Sequence, residues 1–441
     1  MTEHHIHKFF KNYILPAMFN MVVMALYNFV DRIFIGQGAG PLAICGLALT
    51  LPCVFLLSTA GTLTGVGAGT RIATAVSQHD YSLAGRILGN AIFLNVLLSG
   101  GLIVYSLYHL DFILKIFGGS EQTIPYARQY MTILIPASLL TNLNFTGCHA
   151  IRASGAFRAS MSIVMTGVIA NVILDPIFIF GLQLGIEGAA MATALSIILS
   201  SACLIRHFNR PDNPLKLQIR YFLPQFSILR SIITIGMAAF IMNITTGMVN
   251  IIMNRYLEHH GGDYAIGAYG IISSYSVLVS MLLMGICQGI QPMISYLYAS
   301  EQHRQAIIML TNGVGTGSLI ACGGFLIGEL FAPWLGKAFT SDTTLLRLSE
   351  EGIRYTFLAM PLIGFQLIVT SFFQSIRQAP KAITMNISRQ FLFLIPALGL
   401  FSHRWGLTGI WLAIPFADLM ASLIALFFLY QLKPGKFTDK Y

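Results

Sequence analysis

Apolar residues run through this chain in blocks of about twenty or more, separated by short clusters of Gly, Pro and charged residues. A helix rising about 1.5 Å per residue crosses a hydrocarbon core of roughly 30 Å with a block of that length. The blocks predict helices over residues 12–36, 42–78, 85–109, 124–148, 157–181 and 186–207, then 228–257, 265–298, 304–331, 345–376, 380–402 and 407–432. The fold class that follows is an all-α membrane protein of about twelve transmembrane helices. Between the sixth and seventh lies Asn209-Arg-Pro-Asp-Asn-Pro-Leu-Lys216, whose two prolines end one helix and hold off the next. The expected domains are an N-terminal lobe over 1–208, a cytoplasmic linker over 209–227 and a C-terminal lobe over 228–441.

The halves resemble each other when one is slid by roughly 220 residues, a pattern of repeat transporters. Ala43-Ile-Cys-Gly46 answers Gly267-Ala-Tyr-Gly270, Ile151-Arg152 answers Ile376-Arg377, Gly185-Ile-Glu-Gly188 answers Gly406-Leu-Thr-Gly409, and Gly69 answers Gly289. Six helices per half leave both halves the same way up, with a central cleft between two pseudo-symmetric lobes.

Composition sharpens this reading. The chain is 55% hydrophobic and only 10% charged, where a soluble domain carries about 25% charged residues. Its opening residues, Met-Thr-Glu-His-His-Ile-His-Lys8, lack the apolar core of a cleavable leader, so the first span is expected to stay. The net charge of +9 raises nucleic acid as a partner. Its distribution suits topology better. Lys8, Lys11, Arg71, Arg86, Arg152, Arg158, Arg206, Arg210, Arg304, Lys381, Lys433 and Lys436 fall on one side, which places both termini in the cytoplasm and no nucleic acid in the picture. Six cysteines stand singly without metal-ligand spacing. Neither HExxH nor GxSxG occurs, so no enzyme is expected.

A few polar residues inside the apolar runs carry the candidate chemistry. In Asn171-Val-Ile-Leu-Asp175-Pro176, an amide and a carboxylate four residues apart share a helix face. Pro176 lacks an N–H, so the carbonyl of Val172 loses its partner and a bend is expected beside Asp175. Thr193 on the next span offers a hydroxyl, either to an ion or as an ordinary interhelical hydrogen bond. Hard cations such as Na+ seek several oxygens, and a proton competes for the same carboxylate. Asp31 is a second lone acid, and Pro16 lies on its helix. Asp31 either binds an ion or proton, pairs with Arg32 or reaches the interface; adjacent residues diverge by about 100°, which disfavours the pair. The second half lacks matching acids. Arg389 stands on its eleventh helix without a counterpart acid there, Glu329 reads as interfacial, and Asp418 is open. Amides at Asn28, Asn144, Gln288 and Gln291 are candidate contacts for a ligand in the cleft, beside adaptable Met and aromatic side chains.

Taken together, Asn28-Phe-Val-Asp31-Arg-Ile-Phe-Ile-Gly36, Leu42-Ala-Ile-Cys-Gly46, Asn171-Val-Ile-Leu-Asp175-Pro, Leu184-Gly-Ile-Glu-Gly188 and Gly289-Ile-Gln-Pro292 with Ser295-Tyr-Leu-Tyr298 resemble the multidrug and toxic compound extrusion transporters of prokaryotes. The resemblance covers essentially the whole chain. It implies antiport of cationic amphipathic small molecules against H+ or Na+, with no other cofactor, by a monomer among the lipids of a bacterial inner membrane. It also implies an ion or proton site at Asp31, Asn171, Asp175, Thr193 and Tyr130, and bending of the first helix at Pro16 when that site fills. Some branches use an acid on the seventh or eighth helix, which this chain lacks. A lipid-linked precursor flippase of the same superfamily is the alternative, and it would want a cationic cavity.

Overall fold

The computed structural model describes residues 15–210, 215, 219–376 and 378–432, without the side chains of 15–20, 292, 296, 299 and 379. Among these residues there is no strand. The helices are α1 (Leu15–Ala39), α2 (Pro41–Leu57), α3 (Thr59–Ser77), α4 (Tyr81–Tyr108), α5 (Leu110–Ile116), α6 (Ile124–Ala153), α7 (Phe157–Pro176) and α8 (Gly185–Phe208). A 3-10 turn at Ile219–Phe222 leads into α9 (Phe226–Ala299), α10 (His303–Phe339), α11 (Thr343–Thr356), α12 (Met360–Ser375), α13 (Ala379–Ile387) and α14 (Ile395–Tyr430).

Among the described residues, eight continuous helical stretches are long and apolar enough to cross a membrane. Two of them hold two spans each, because α9 breaks at Gly262 (φ 64°, ψ −161°) and α14 at Gly406 (φ 58°, ψ −132°). With the 25-residue α1 and the 30-residue α6, the twelve expected spans are all present. Backbone at positive φ is open to glycine without the Cβ clash other residues suffer. Gly40 (φ 89°) and Gly185 (φ 56°) turn the chain at the matching places of the other half, so the turn glycines pair at offsets of 222 (262 − 40) and 221 (406 − 185) residues. The sequence repeat is thus a repeat of backbone conformation.

Three predicted boundaries differ. The helix expected over 42–78 parts at Ser58, where the hydroxyls of Ser58 and Thr59 bond back to the carbonyls of Phe55 and Leu56 at 2.8 and 2.6 Å and so compete with the helical ladder. The helix over 345–376 tightens to a 3-10 turn at Phe357–Ala359, just before Pro361, which has no N–H to continue an α turn. The short α5 falls in what read as a loop, since seven residues are too few to show a period.

The chain forms two compact units, one from the described residues of Met1–Ile33 and Tyr256–Tyr441, the other Phe34–Arg255. Within Phe34–Arg255, a Cβ built on Gly67 would lie 2.2 Å from the carbonyl oxygen of Ile232, and one on Gly236 would lie 2.0 Å from that of Leu63. Two helices therefore touch backbone to backbone, the contact that drives association where lipid removes any hydrophobic gain. A buried polar knot backs it: Asn95 Nδ2 donates to Thr64 Oγ1 at 2.8 Å and Thr146 Oγ1 at 3.0 Å, while Asn142 Nδ2 donates to the Leu57 carbonyl and to Ser99 Oγ, both at 2.9 Å. In the other unit, Ile286, Ile290, Met309, Ile368, Phe372 and Met385 form the core.

Candidate ion-coupling site

The end of α7 and the start of α8, both within Phe34–Arg255, build the site. α7 gives way at Pro176 to a π-helical segment, Ile177–Gly181, in which the Leu182 N–H reaches back five residues to the Ile177 carbonyl at 2.9 Å. The expected distortion beside Asp175 therefore takes the form of a wider turn, the kind that recurs at functional sites. Just before it, Asn171 and Asp175 share one face, each only 1% exposed. Asn171 Nδ2 donates to Asp175 Oδ1 at 3.2 Å and to Thr193 Oγ1 on α8 at 3.3 Å. Asn171 Oδ1 is buried with no hydrogen-bond partner. Three oxygen-bearing groups thus meet on two helices, with one amide oxygen unspent. Such a donor set suits a hard cation or a proton on the carboxylate. Tyr130 on α6 is 7% exposed and packs in the core cluster that contains Ile179 of the π segment and Ile186, Ala189 and Ala190 of α8.

Asp31 falls in the other unit, half-buried on α1. Its neighbour Arg32 points Nη1 to Ser274 Oγ at 2.8 Å and to the Gly270 carbonyl at 3.4 Å. Asn28 Nδ2 bonds back to the Met24 carbonyl at 2.8 Å, and Gln288 is exposed with Nε2 4.0 Å from Met21 Sδ. Gln291 is half-buried. Asn144, in Phe34–Arg255, spends its Nδ2 on α8, at 2.9 Å from Ser200 Oγ and 3.3 Å from the Ile197 carbonyl. The side chain of Pro16 lies outside the described residues, so the predicted bend there has no structural account. Among the described residues, no group of three or more His, Cys, Asp or Glu could hold a metal ion.

One pair escaped sequence reasoning. Arg389, expected to lack an acid, donates Nε to Asp418 Oδ1 at 2.5 Å. It stands in a second π segment, Ser388–Leu394, which joins α13 to α14. The signal was two opposite charges, Arg389 and Asp418, each well inside one of two neighbouring apolar runs on either side of the Gly406 turn. Recognising it needed the hairpin register.

Long apolar helices, two repeats of one backbone pattern and buried charge within the spans are the marks of a polytopic membrane transporter. A family model described as MatE matches twice, over residues 16–177 and 238–398, repeating the offset of the turn glycines. The chain belongs to the MatE family and is a membrane transporter, not an enzyme. The multidrug export protein MepA of Staphylococcus aureus (strain MRSA252) is 29% identical over 439 residues, covering 98% of this chain and 96% of the relative. That of Staphylococcus haemolyticus is 28% identical, covering 99% and 96%. Among solved structures, the MATE multidrug transporter DinF-BH is 27% identical with a TM-score of 0.81, over 98% of this chain and 97% of that one. An inward-facing multidrug resistance MATE family transporter of the MOP superfamily superposes with a TM-score of 0.85 at 21% identity, over 97% and 99% of the two chains.

Proposed function

We propose that this transporter exports cationic, amphipathic small molecules in exchange for H+ or Na+. The observation that carries the reading is the buried group Asn171, Asp175 and Thr193 beside the π segment. A carboxylate inside a membrane span is costly unless a positive charge joins it. A proton or Na+ entering this group neutralises Asp175, and the unspent Asn171 oxygen supplies a further ligand to Na+. Occupancy then favours one arrangement of the π segment and α8 over another, which is how ion binding biases a conformational equilibrium. Linkage makes the effect reciprocal, so drug and ion each weaken the other's binding. Asp31, with Pro16 on the same helix, is assigned a second proton-binding role in its own unit. The relatives named for multidrug export support this substrate class, and the charge distribution supports both termini being cytoplasmic.

The test is efflux of a cationic dye from proteoliposomes under an imposed pH gradient or an imposed Na+ gradient, applied separately. Wild type is expected to export under one of them. Asp175→Asn, which keeps shape and polarity but cannot ionise, is expected to lose gradient-driven export while eluting as a monodisperse protein. Normal antiport by that variant would overturn the assignment.

A further inference from the structure

The Arg389–Asp418 pair takes no part in the proposed coupling, and its geometry is one-sided. Asp418 is 1% exposed and its Oδ2 is buried without a partner, whereas the Arg389 side chain keeps 35% of its surface. Only Nε is engaged, at 2.5 Å, and among the described residues Nη1 and Nη2 make no hydrogen bond and are not buried. Arg389 lies nine residues into the apolar stretch Pro380–Tyr430, about 14 Å along a helix and so near the middle of a core of roughly 30 Å. A guanidinium end open to hydrocarbon at that depth is strongly unfavourable, so its open face is a wet one that a passing molecule can reach. The fork of two Nη groups presents parallel donors that match a planar carboxylate, and the Asp418 contact at Nε fixes the plane of that fork.

We propose that Arg389 is a substrate-recognition residue that binds the carboxylate of zwitterionic amphiphiles, with Asp418 as its positioning residue. The inference rests on the export function proposed above and extends it to molecules that carry an acidic group. A phosphate-bearing lipid headgroup has the same anionic chemistry. The carboxylate is favoured because it is planar and two-pronged, as the free fork is.

The experiment uses the full chain in phosphatidylcholine proteoliposomes and a matched pair of probes, a xanthene dye with a free carboxylate and its ethyl ester. Wild type should export both, with KM for the acid no higher than for the ester. Arg389→Gln should raise KM for the acid about 10-fold or more, the weight of a charge-assisted pair, and leave KM for the ester within about 2-fold. Because that variant strands a buried Asp418, the double variant Arg389→Gln/Asp418→Asn removes both charges and should show the same loss of discrimination. Failure of wild type to export the acid, or an equal loss for both dyes in the double variant, would overturn the proposal. So would a rise in KM for the acid when phosphatidylglycerol is added to wild-type vesicles, because the lipid phosphate would then be the occupant. Ester export under an imposed gradient reports on the antiport reading alone, so failure of one reading is separable from failure of the other.

Discussion

Replacing Asn171 by Leu separates a coupling role from a structural one. The Asn171 amide gives two hydrogen bonds, to Asp175 at 3.2 Å and to Thr193 at 3.3 Å, both longer than the usual 2.9–3.0 Å or so. At roughly 0.5–1.5 kcal/mol each, their loss costs about 1–3 kcal/mol. Against this, the buried Asn171 Oδ1 has no partner, and removing such an oxygen returns about 1–3 kcal/mol. The balance centres on zero and stays within about 2 kcal/mol. The melting temperature of purified protein, read by intrinsic fluorescence, should therefore shift by no more than about 4 °C. Transport should fall further than stability. The ion loses an oxygen ligand and Asp175 loses its donor, so gradient-driven efflux should drop about 10-fold or more, each decade being about 1.4 kcal/mol. A melting temperature many degrees lower with unchanged efflux per folded molecule would show that Asn171 only packs α7 against α8, and the reasoning would fail.

Other outcomes follow from local geometry. Gly67→Ala places a Cβ 2.2 Å from the Ile232 carbonyl oxygen, so the two helices must part and stability should fall by about 1–3 kcal/mol or more. Gly315→Ala, where nothing lies within 4 Å, is the matched control and should hold or raise the melting temperature, because Ala is about 1 kcal/mol better than Gly in a helix. Asp342→Ala removes the cap that accepts from Thr344 and Leu345 at 3.0 and 2.9 Å, at a cost of about 1 kcal/mol read by the same melt.

The spans were legible because lipid leaves the backbone no other partner, so an apolar run of sufficient length has one outcome. What interrupts a run is local and quieter. Ser58 and Thr59 look like any hydroxyl residues in a span, and only their back-bonds mark the break. Asn171 and Asp175 were readable because residues four apart share a face whatever else the chain does. Thr193 joined them only through the register of α7 against α8, and Arg389 found Asp418 across a 29-residue separation in the same way. Sequence periodicity fixes faces within a helix and says little about register between helices.

The two halves repeat a frame and differ in charge. Each has a hairpin turned by a glycine at positive φ, Gly185 in one and Gly406 in the other, and each hairpin's leading helix carries a π segment. In the first hairpin the acid accepts from the Asn171 amide, which donates in turn to the Thr193 hydroxyl, and an amide does not neutralise a carboxylate. In the second the acid is met by a guanidinium, which cancels it. A carboxylate already neutralised by a fixed partner gives a mobile cation little to gain. On these grounds the proposed ion exchange is assigned to the hairpin of Asp175, and the proposed substrate contact to the hairpin of Asp418 through the open end of Arg389.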